Sequence, residues 1–234
     1  MQLKLLNMNN YIKIKNLTKK YEKKKSINVL NDISFKFEPG KTYSIMGPSG
    51  SGKSTLLNLL SLIDNPTAGS IEISNNKIKS NNKVKNDLIR AKKIGIIYQD
   101  KNLLSDFTAL ENVYLPNLLV SKEKQKSIEL AKKLIKNVGM SSRINHFPNE
   151  LSGGENQRIA IARALINNPD IILADEPTGN LDSDNAKLIF KILFNLKNKN
   201  RIIIFATHNR YFANMADCKI MMNDGNIQII NATI

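Results

Sequence analysis

Cysteine is almost missing from this chain. Cys218 is the only one in 234 residues, so no internal disulfide framework can form; the chain fits a reducing compartment, with Cys218 as an inert small core residue. Long apolar runs are also missing. The best candidates, "LLNLLSLI" at 56–63 and "RIIIFA" at 201–206, fall well short of the ~20 residues that cross a bilayer. The opening "MQLKLLNMNNYIKIK" has neither the apolar h-region nor the cleavage site of a signal peptide, so the expectation is a chain that stays in the cytosol, with Met8 as an alternative start. Acidic residues are scarce: 20 Asp and Glu stand against 35 Lys and Arg, a net charge of +15. Such a balance ordinarily points toward nucleic acid or an anionic membrane surface. Here Lys, Asn and Ile are spread from end to end, including the loop-like stretch 74–85, which reads as a solvated basic surface without a dedicated polyanion partner.

No internal repeat or long low-complexity linker interrupts the sequence, and its length suffices for one unit with subdomains and a substantial core. Residues 11–17 alternate as a strand, and 29–37 place Ile33, Phe35 and Phe37 on one face. After a turn at 38–40, residues 42–46 form a short apolar strand leading into a glycine-rich loop; "KSTLLNLLSLI" (53–63) is an apolar helix ended by "DNPTAG". Further strands are expected at 70–74, 94–99, 171–174, 202–206 and 219–222, with a helix over 183–198. Between them, 108–120, 122–138 and 156–167 carry helical periodicity, which makes about 100–168 a helical insertion between an N-terminal core (about 1–99) and a C-terminal core (about 169–234).

Three motifs carry chemistry. The first is "GPSGSGKST": Gly47, Pro48, Ser49, Gly50, Ser51, Gly52, Lys53, Ser54 and Thr55. Gly47, Gly52, Lys53 and Ser54 satisfy G-x-x-x-x-G-K-[ST], in which backbone N–H groups and a helix N-terminus cradle phosphate, Lys53 reaches the β and γ phosphates, and the Ser54 hydroxyl ligates Mg²⁺. The second is "IILADEP", a strand ending in Asp175 and Glu176. Asp175 suits Mg²⁺, directly or through water, and Glu176 suits a general base; two adjacent acids alone would read only as a strand-end cap. The third is "LSGGENQ", where Ser152, Gly153, Gly154 and Glu155 open another helix. A plain N-cap accounts for Ser152 and Glu155, but not for two consecutive glycines, which permit close backbone approach at a second candidate phosphate site.

In this order and spacing, "GPSGSGKST", Gln99 after "IGIIY", "LSGGE", "IILADEP", "NLD" and "TH" resemble the ATP-binding subunits of ABC transporters over nearly the whole chain. The resemblance implies an α/β P-loop NTPase fold of the ABC ATPase type, with a mostly parallel core sheet, an antiparallel β subdomain and a helical subdomain, as one domain over 1–234. It implies ATP and Mg²⁺ as ligands and a head-to-tail homodimer. Each ATP would lie between the loop 47–55 of one copy and Ser152–Glu155 of the other. Tyr21 falls where the family stacks an aromatic on adenine, although a strand-edge aromatic is the alternative. Gln99 resembles the glutamine that touches Mg²⁺ or water, Asp182 the loop that crosses to the partner's site, and His208 the histidine that contacts the γ-phosphate. Asn209 departs from the family pattern, in which Asp usually follows that histidine.

Within the family, "DFTALENVYLP", "HFPNELSGGE" and "LADEPTGNLD" are most similar to LolD-type ATPases of lipoprotein release; MacB-type exporters and FtsE-type division ATPases share "ADEPTGNLD". This implies a peripheral ATPase on the cytoplasmic face of the inner membrane. Its partners would be two integral membrane subunits, LolC/LolE-like, met through the segment after Gln99. Soluble ABC ATPases of DNA repair or the ribosome are the competing class. The first carry a long coiled-coil or zinc insertion and the second two ATPase units, whereas about 100 residues separate the motifs here and the set is single, so no nucleic-acid partner is expected. A P-loop small-molecule kinase leaves "LSGGE" without a use.

Overall fold

Two sheets divide the work of the chain. The computed structural model describes residues 11–22 and 26–232; the N-terminal stretch read for a leader, with Met8, lies outside them. Strands β1 (Ile12–Glu22) and β2 (Ser26–Phe37) pair antiparallel, with Ile14 opposite Phe35. Strand β3 (Thr42–Met46) belongs to the second sheet, while β4 (Ala68–Ile73) and β5 (Asn76–Lys77) complete a four-stranded antiparallel sheet in the order β2-β1-β4-β5. Alternation along β1 buries Ile12 and Ile14, then breaks at a bulge where Asn16 takes φ 49°, which returns Leu17 to the buried face.

The second sheet adds β6 (Ile94–Ile97), β7 (Ile171–Asp175), β8 (Ile202–Ala206), β9 (Cys218–Asn223) and β10 (Asn226–Ala232), in the order β10-β9-β3-β8-β7-β6. All its pairings are parallel except β10 against β9. Parallel strands covered on both faces read as unbroken apolar runs, and β8, IIIFA, is buried at every position. Successive residues then serve opposite cores. Ile171, Leu173, Ile202 and Ile204 pack with β1–β4 and helix α1 (Lys53–Leu60), whereas Ile172, Ala174, Ile203 and Phe205 pack with the helices on the other side.

Those helices include α3 (Ala109–Ser121) and α4 (Lys124–Asn137), within two residues of the predicted periodic runs at each end, and α5 (Gly153–Leu165), which starts three residues before its predicted run. No described residue between 100 and 168 is in a strand. Helix α6 (Ser183–Asn195) follows β7, and α7 (Arg210–Asn214) follows β8. Phe190 of α6 stacks on Phe212 of α7 at 3.8 Å and meets Phe205 edge-on at 5.3 Å, which seats both helices on the sheet.

The structure corrects the stretch 74–85, which is not all loop. It holds β5 and the start of α2 (Lys83–Lys93), whose Val84, Leu88 and Ala91 recur at helical spacing although Val84 and Leu88 stay exposed; Asn86 is its one buried residue. Its ends carry signals too: Asn82 accepts from Lys85 N–H, and Arg90, Lys92 and Lys93 occupy the last turn, where the helix dipole favours cations. Helix α1 also stops short of residue 63, because Leu62 adopts a left-handed φ of 61°.

Candidate functional site

Four neighbouring parallel strands deliver their C-terminal ends to one edge. β3 runs into the loop 47–52, β8 into Thr207 and His208, β7 into Glu176, and β6, one residue later, into Gln99. Where strands of an open α/β sheet end together, ligands collect. The cleft there holds about 620 Å³; Gly47, Ser49, Gly50, Gly52–Thr55, Gln99, Asp175, Glu176 and His208 line it, together with Val29 of β2, which no motif announces. Pro48 and Ser51 belong to the loop without lining the cleft, and Ser51 is buried beneath it.

The loop needs its glycines. At φ 151°, a β-carbon on Gly47 would lie 2.1 Å from the Met222 carbonyl oxygen; at φ 102°, one on Gly52 would lie 2.8 Å from that of Val29. Gly52 caps α1 without a side chain, and no acidic residue occupies the first turn, so the first N–H groups of the helix are left for an anion. Lys53 Nζ donates to the carbonyls of Gly47 and Pro48, each at 2.9 Å, which holds the ammonium over the loop.

Opposite the loop, Asp175 Oδ1 is buried and makes no hydrogen bond within the described residues. A desolvated carboxylate oxygen aimed at a cleft that also holds the Ser54 hydroxyl and the Gln99 amide is an oxygen set suited to Mg²⁺, an ion that keeps most of its shell for water and phosphate. Glu176 follows at φ 42°, a conformation costing a non-glycine residue about 1–3 kcal/mol. Its N–H donates to Ala206 O at 3.0 Å, and its Oε2 lies 3.0 Å from His208 Nδ1 and 3.4 Å from the His208 N–H. Glu176 and His208 are thus held together at the cleft wall. Asn209 fills the place of the usual Asp by capping α7, accepting from Tyr211 and Phe212 N–H, so the departure costs no hydrogen bond there.

Tyr21 does not line the cleft but stands beside it. Its hydroxyl donates to Asp64 Oδ2 at 2.9 Å; burial first, and then Asp64, raise its phenol pKa, while the Thr55 hydroxyl acts in the opposite direction. Gln99 leans on Gly179, where a β-carbon would come within 3.0 Å of Nε2.

Ser152, Gly153, Gly154, Glu155 and Asp182 lie outside the cleft. Ser152 and Glu155 form a capping box: Ser152 Oγ accepts from Glu155 N–H at 3.2 Å, and Glu155 Oε2 accepts from Ser152 N–H at 2.8 Å. The Ser152 backbone bond does most to hold the Glu155 carboxyl below its usual pKa; it outweighs the upward push of burial, and Arg143 Nε at 3.0 Å adds to it. Asp182 caps α6, accepting from Asp184 and Asn185 N–H, and those bonds lower its carboxyl.

The paired glycines divide in purpose. A β-carbon on buried Gly154 would fall 2.4 Å from Asn185 Oδ1, so Asn185 would have to swing aside and give up its bond to Asp182 Oδ2. On exposed Gly153 it would meet nothing closer than Leu181 Cδ2 at 3.5 Å. Gly154→Ala is therefore expected to destabilise the chain by about 1–3 kcal/mol, as overpacking does. Gly153→Ala leaves the melting temperature unchanged or raises it, since alanine favours a helix by about 1 kcal/mol. Paired thermal melts check both.

A model of the ABC transporter family matches residues 30–179. The lipoprotein-releasing system ATP-binding protein LolD of Rickettsia bellii (strain RML369-C) is 44% identical over 211 residues, spanning 89% of this chain and 93% of that protein. LolD of Wigglesworthia glossinidia brevipalpis is 45% identical over 225 residues, spanning 94% and 98%. Among solved structures, the dimeric post-hydrolysis state of the ATP-binding cassette MJ0796 bound to ADP and Pi superposes with a TM-score of 0.87 at 37% identity, covering 94% of this chain and 99% of that one.

Proposed function

We propose, from the premise that this chain belongs to the ABC transporter family, that it is the ATP-hydrolysing subunit of a lipoprotein-releasing system. The observation that carries the shared-site mechanism is a separation. The cleft gathers the loop 47–55, Asp175, Glu176 and His208, while the second phosphate-seeking helix end, at Ser152–Glu155, stands outside it. One chain holds two complementary half-sites, which close on ATP when two copies meet head to tail.

In that dimer the loop N–H groups and Lys53 bind the phosphates, and Tyr21 stacks on the base. Ser54, Asp175 and Gln99 would hold Mg²⁺, which neutralises charge on the β and γ phosphate oxygens. Glu176 takes the proton of the attacking water, and His208, 3.0 Å from it, fixes the direction of that water. From the second copy, Ser152 caps its own helix with an oxygen lone pair and keeps its hydroxyl proton to donate to the γ-phosphate. Cleavage removes the group that both copies grip, and the dimer reopens.

The two membrane subunits are LolC/LolE-like, and the chain works at the cytoplasmic face of the inner membrane. Among the described residues no helix is long and apolar enough to cross a membrane. Leu104 and Phe107, exposed apolar side chains in the segment after Gln99, offer the contact. LolD-named relatives favour lipoprotein release over MacB-type export, FtsE-type division or nucleic-acid work. The test is reconstitution with the two membrane subunits in liposomes bearing a lipoprotein. ATP-dependent release is expected; ATP hydrolysis without release overturns the cargo and leaves the ATPase standing.

A further inference from the structure

Lys19 is 8% exposed, an unusual place for an ammonium, and nothing in the reaction described above uses it. Its Nζ donates to Asp64 Oδ1 at 2.7 Å and to Asn65 O at 2.8 Å, and sits over the Tyr21 ring, 4.7 Å from the centroid. Asp64 uses its other oxygen for the Tyr21 hydroxyl at 2.9 Å. Burial by itself would raise the Asp64 carboxyl; hydrogen bonds from Lys19, Tyr21 and the Asn65 N–H outweigh it and hold the group below its usual value, so it stays an anion between its two donors.

The chain brings Asp64 there deliberately. Past α1 the N–H groups of Ile63 and Asp64 both donate to Asn58 O, at 3.1 and 3.3 Å, which folds the chain back along the helix. Asn58 and Thr55 are three residues apart and share a helix face, and Thr55 belongs to the phosphate loop.

We propose that Lys19 and Asp64 are positioning residues that clamp Tyr21 as the base platform, registered to the phosphate loop through α1. Lys19 occupies one face of the ring by cation–π contact, Asp64 anchors the hydroxyl, and the remaining face is left to the purine. Because Asp64 hangs from the helix that starts at the phosphate loop, base and phosphate ends are set to one spacing before nucleotide arrives. Preorganisation of this kind raises affinity by sparing the ordering cost on binding. The inference rests on Tyr21 stacking on the base.

A double-mutant cycle on the full chain tests it. ATP affinity, and the affinity for inorganic tripolyphosphate as a ligand lacking the base, are measured by calorimetry with Mg²⁺ for wild type, Lys19→Met, Tyr21→Ala and the double variant. Lys19→Met and Tyr21→Ala are each expected to weaken ATP roughly 3- to 10-fold, the range of a partly buried cation–π contact. Tripolyphosphate binding stays unchanged, the double variant is no weaker than Tyr21→Ala, and Lys19→Arg restores ATP affinity. Asp64→Asn, of equal size, approaches the same clamp from the other side if Lys19→Met folds poorly. Equal losses for ATP and tripolyphosphate, or a Lys19→Met loss that persists in the Tyr21→Ala background, overturn the clamp while Tyr21 keeps its role. Unchanged ATP affinity in Tyr21→Ala instead removes the base platform, and the clamp with it.

Discussion

Glu176→Gln is expected to hydrolyse ATP roughly 10²- to 10⁴-fold more slowly than wild type, the contribution of a positioned general base, and to accumulate as an ATP-bound dimer. The substitution is nearly isosteric, so the φ of 42° and the N–H bond to Ala206 survive, and the amide oxygen still accepts from the His208 N–H. What disappears is the ability to take a proton from water. Phosphate binding by Lys53 and the loop is untouched, so the closed dimer forms and waits. Single-turnover kinetics and size-exclusion chromatography with ATP read both halves of the effect. Turnover near that of wild type in Glu176→Gln would remove Glu176 from the chemistry.

Ser152→Arg is expected to abolish turnover by a different route. The isolated chain loses an N-cap, worth about 1 kcal/mol, at an exposed position, so it folds and binds ATP in its own cleft. In the homodimer a long cation is expected to replace a small donor against the γ-phosphate at both sites, leaving neither site able to close, whereas a dimer with one such site keeps the other intact. The two inactive variants then test each other. In a mixed dimer, the cleft of the Ser152→Arg copy keeps Glu176 and faces the intact Ser152 of the Glu176→Gln copy, while both defects fall on the other site. Mixing two inactive proteins is therefore expected to recover measurable ATPase. If each chain used its own Ser152, the mixture would stay silent.

Much of the fold and of the site is legible in the sequence, and the parts that are not have physical causes. Strands β3, β7 and β8 are buried on both faces, so apolar runs gave their limits within a residue or two. The loop 47–55 was legible because its chemistry demands particular residues. Helix α2 was not, since its short stripe of Val84, Leu88 and Ala91 is set among lysines in a stretch that reads as loop, and neither were α7, five residues long, or β10 at the sheet edge. Within "DFTALENV", the Thr108 and Glu111 that looked like family signature form a capping box for α3, with Thr108 N–H donating to Glu111 Oε2 at 2.8 Å. Part of that string is helix punctuation. Val29 escaped notice because a β2 side chain reaches the cleft only through sheet packing, and the different needs of Gly153 and Gly154 depend on Asn185, a contact between helices that spacing cannot show.

The four strand ends at the cleft act as a ruler. A one-residue slip in β3, β6, β7 or β8 would move its functional group by about 3.3 Å and turn the neighbouring side chains to the opposite face. Deletions there would end activity at once. Residues 100–150 leave the sheet after Gln99 and precede the helix end at Ser152–Glu155, so insertions, deletions and new apolar contacts in that stretch leave the ruler unchanged. The chemistry and the choice of membrane partner are thereby free to evolve at separate rates within a single chain.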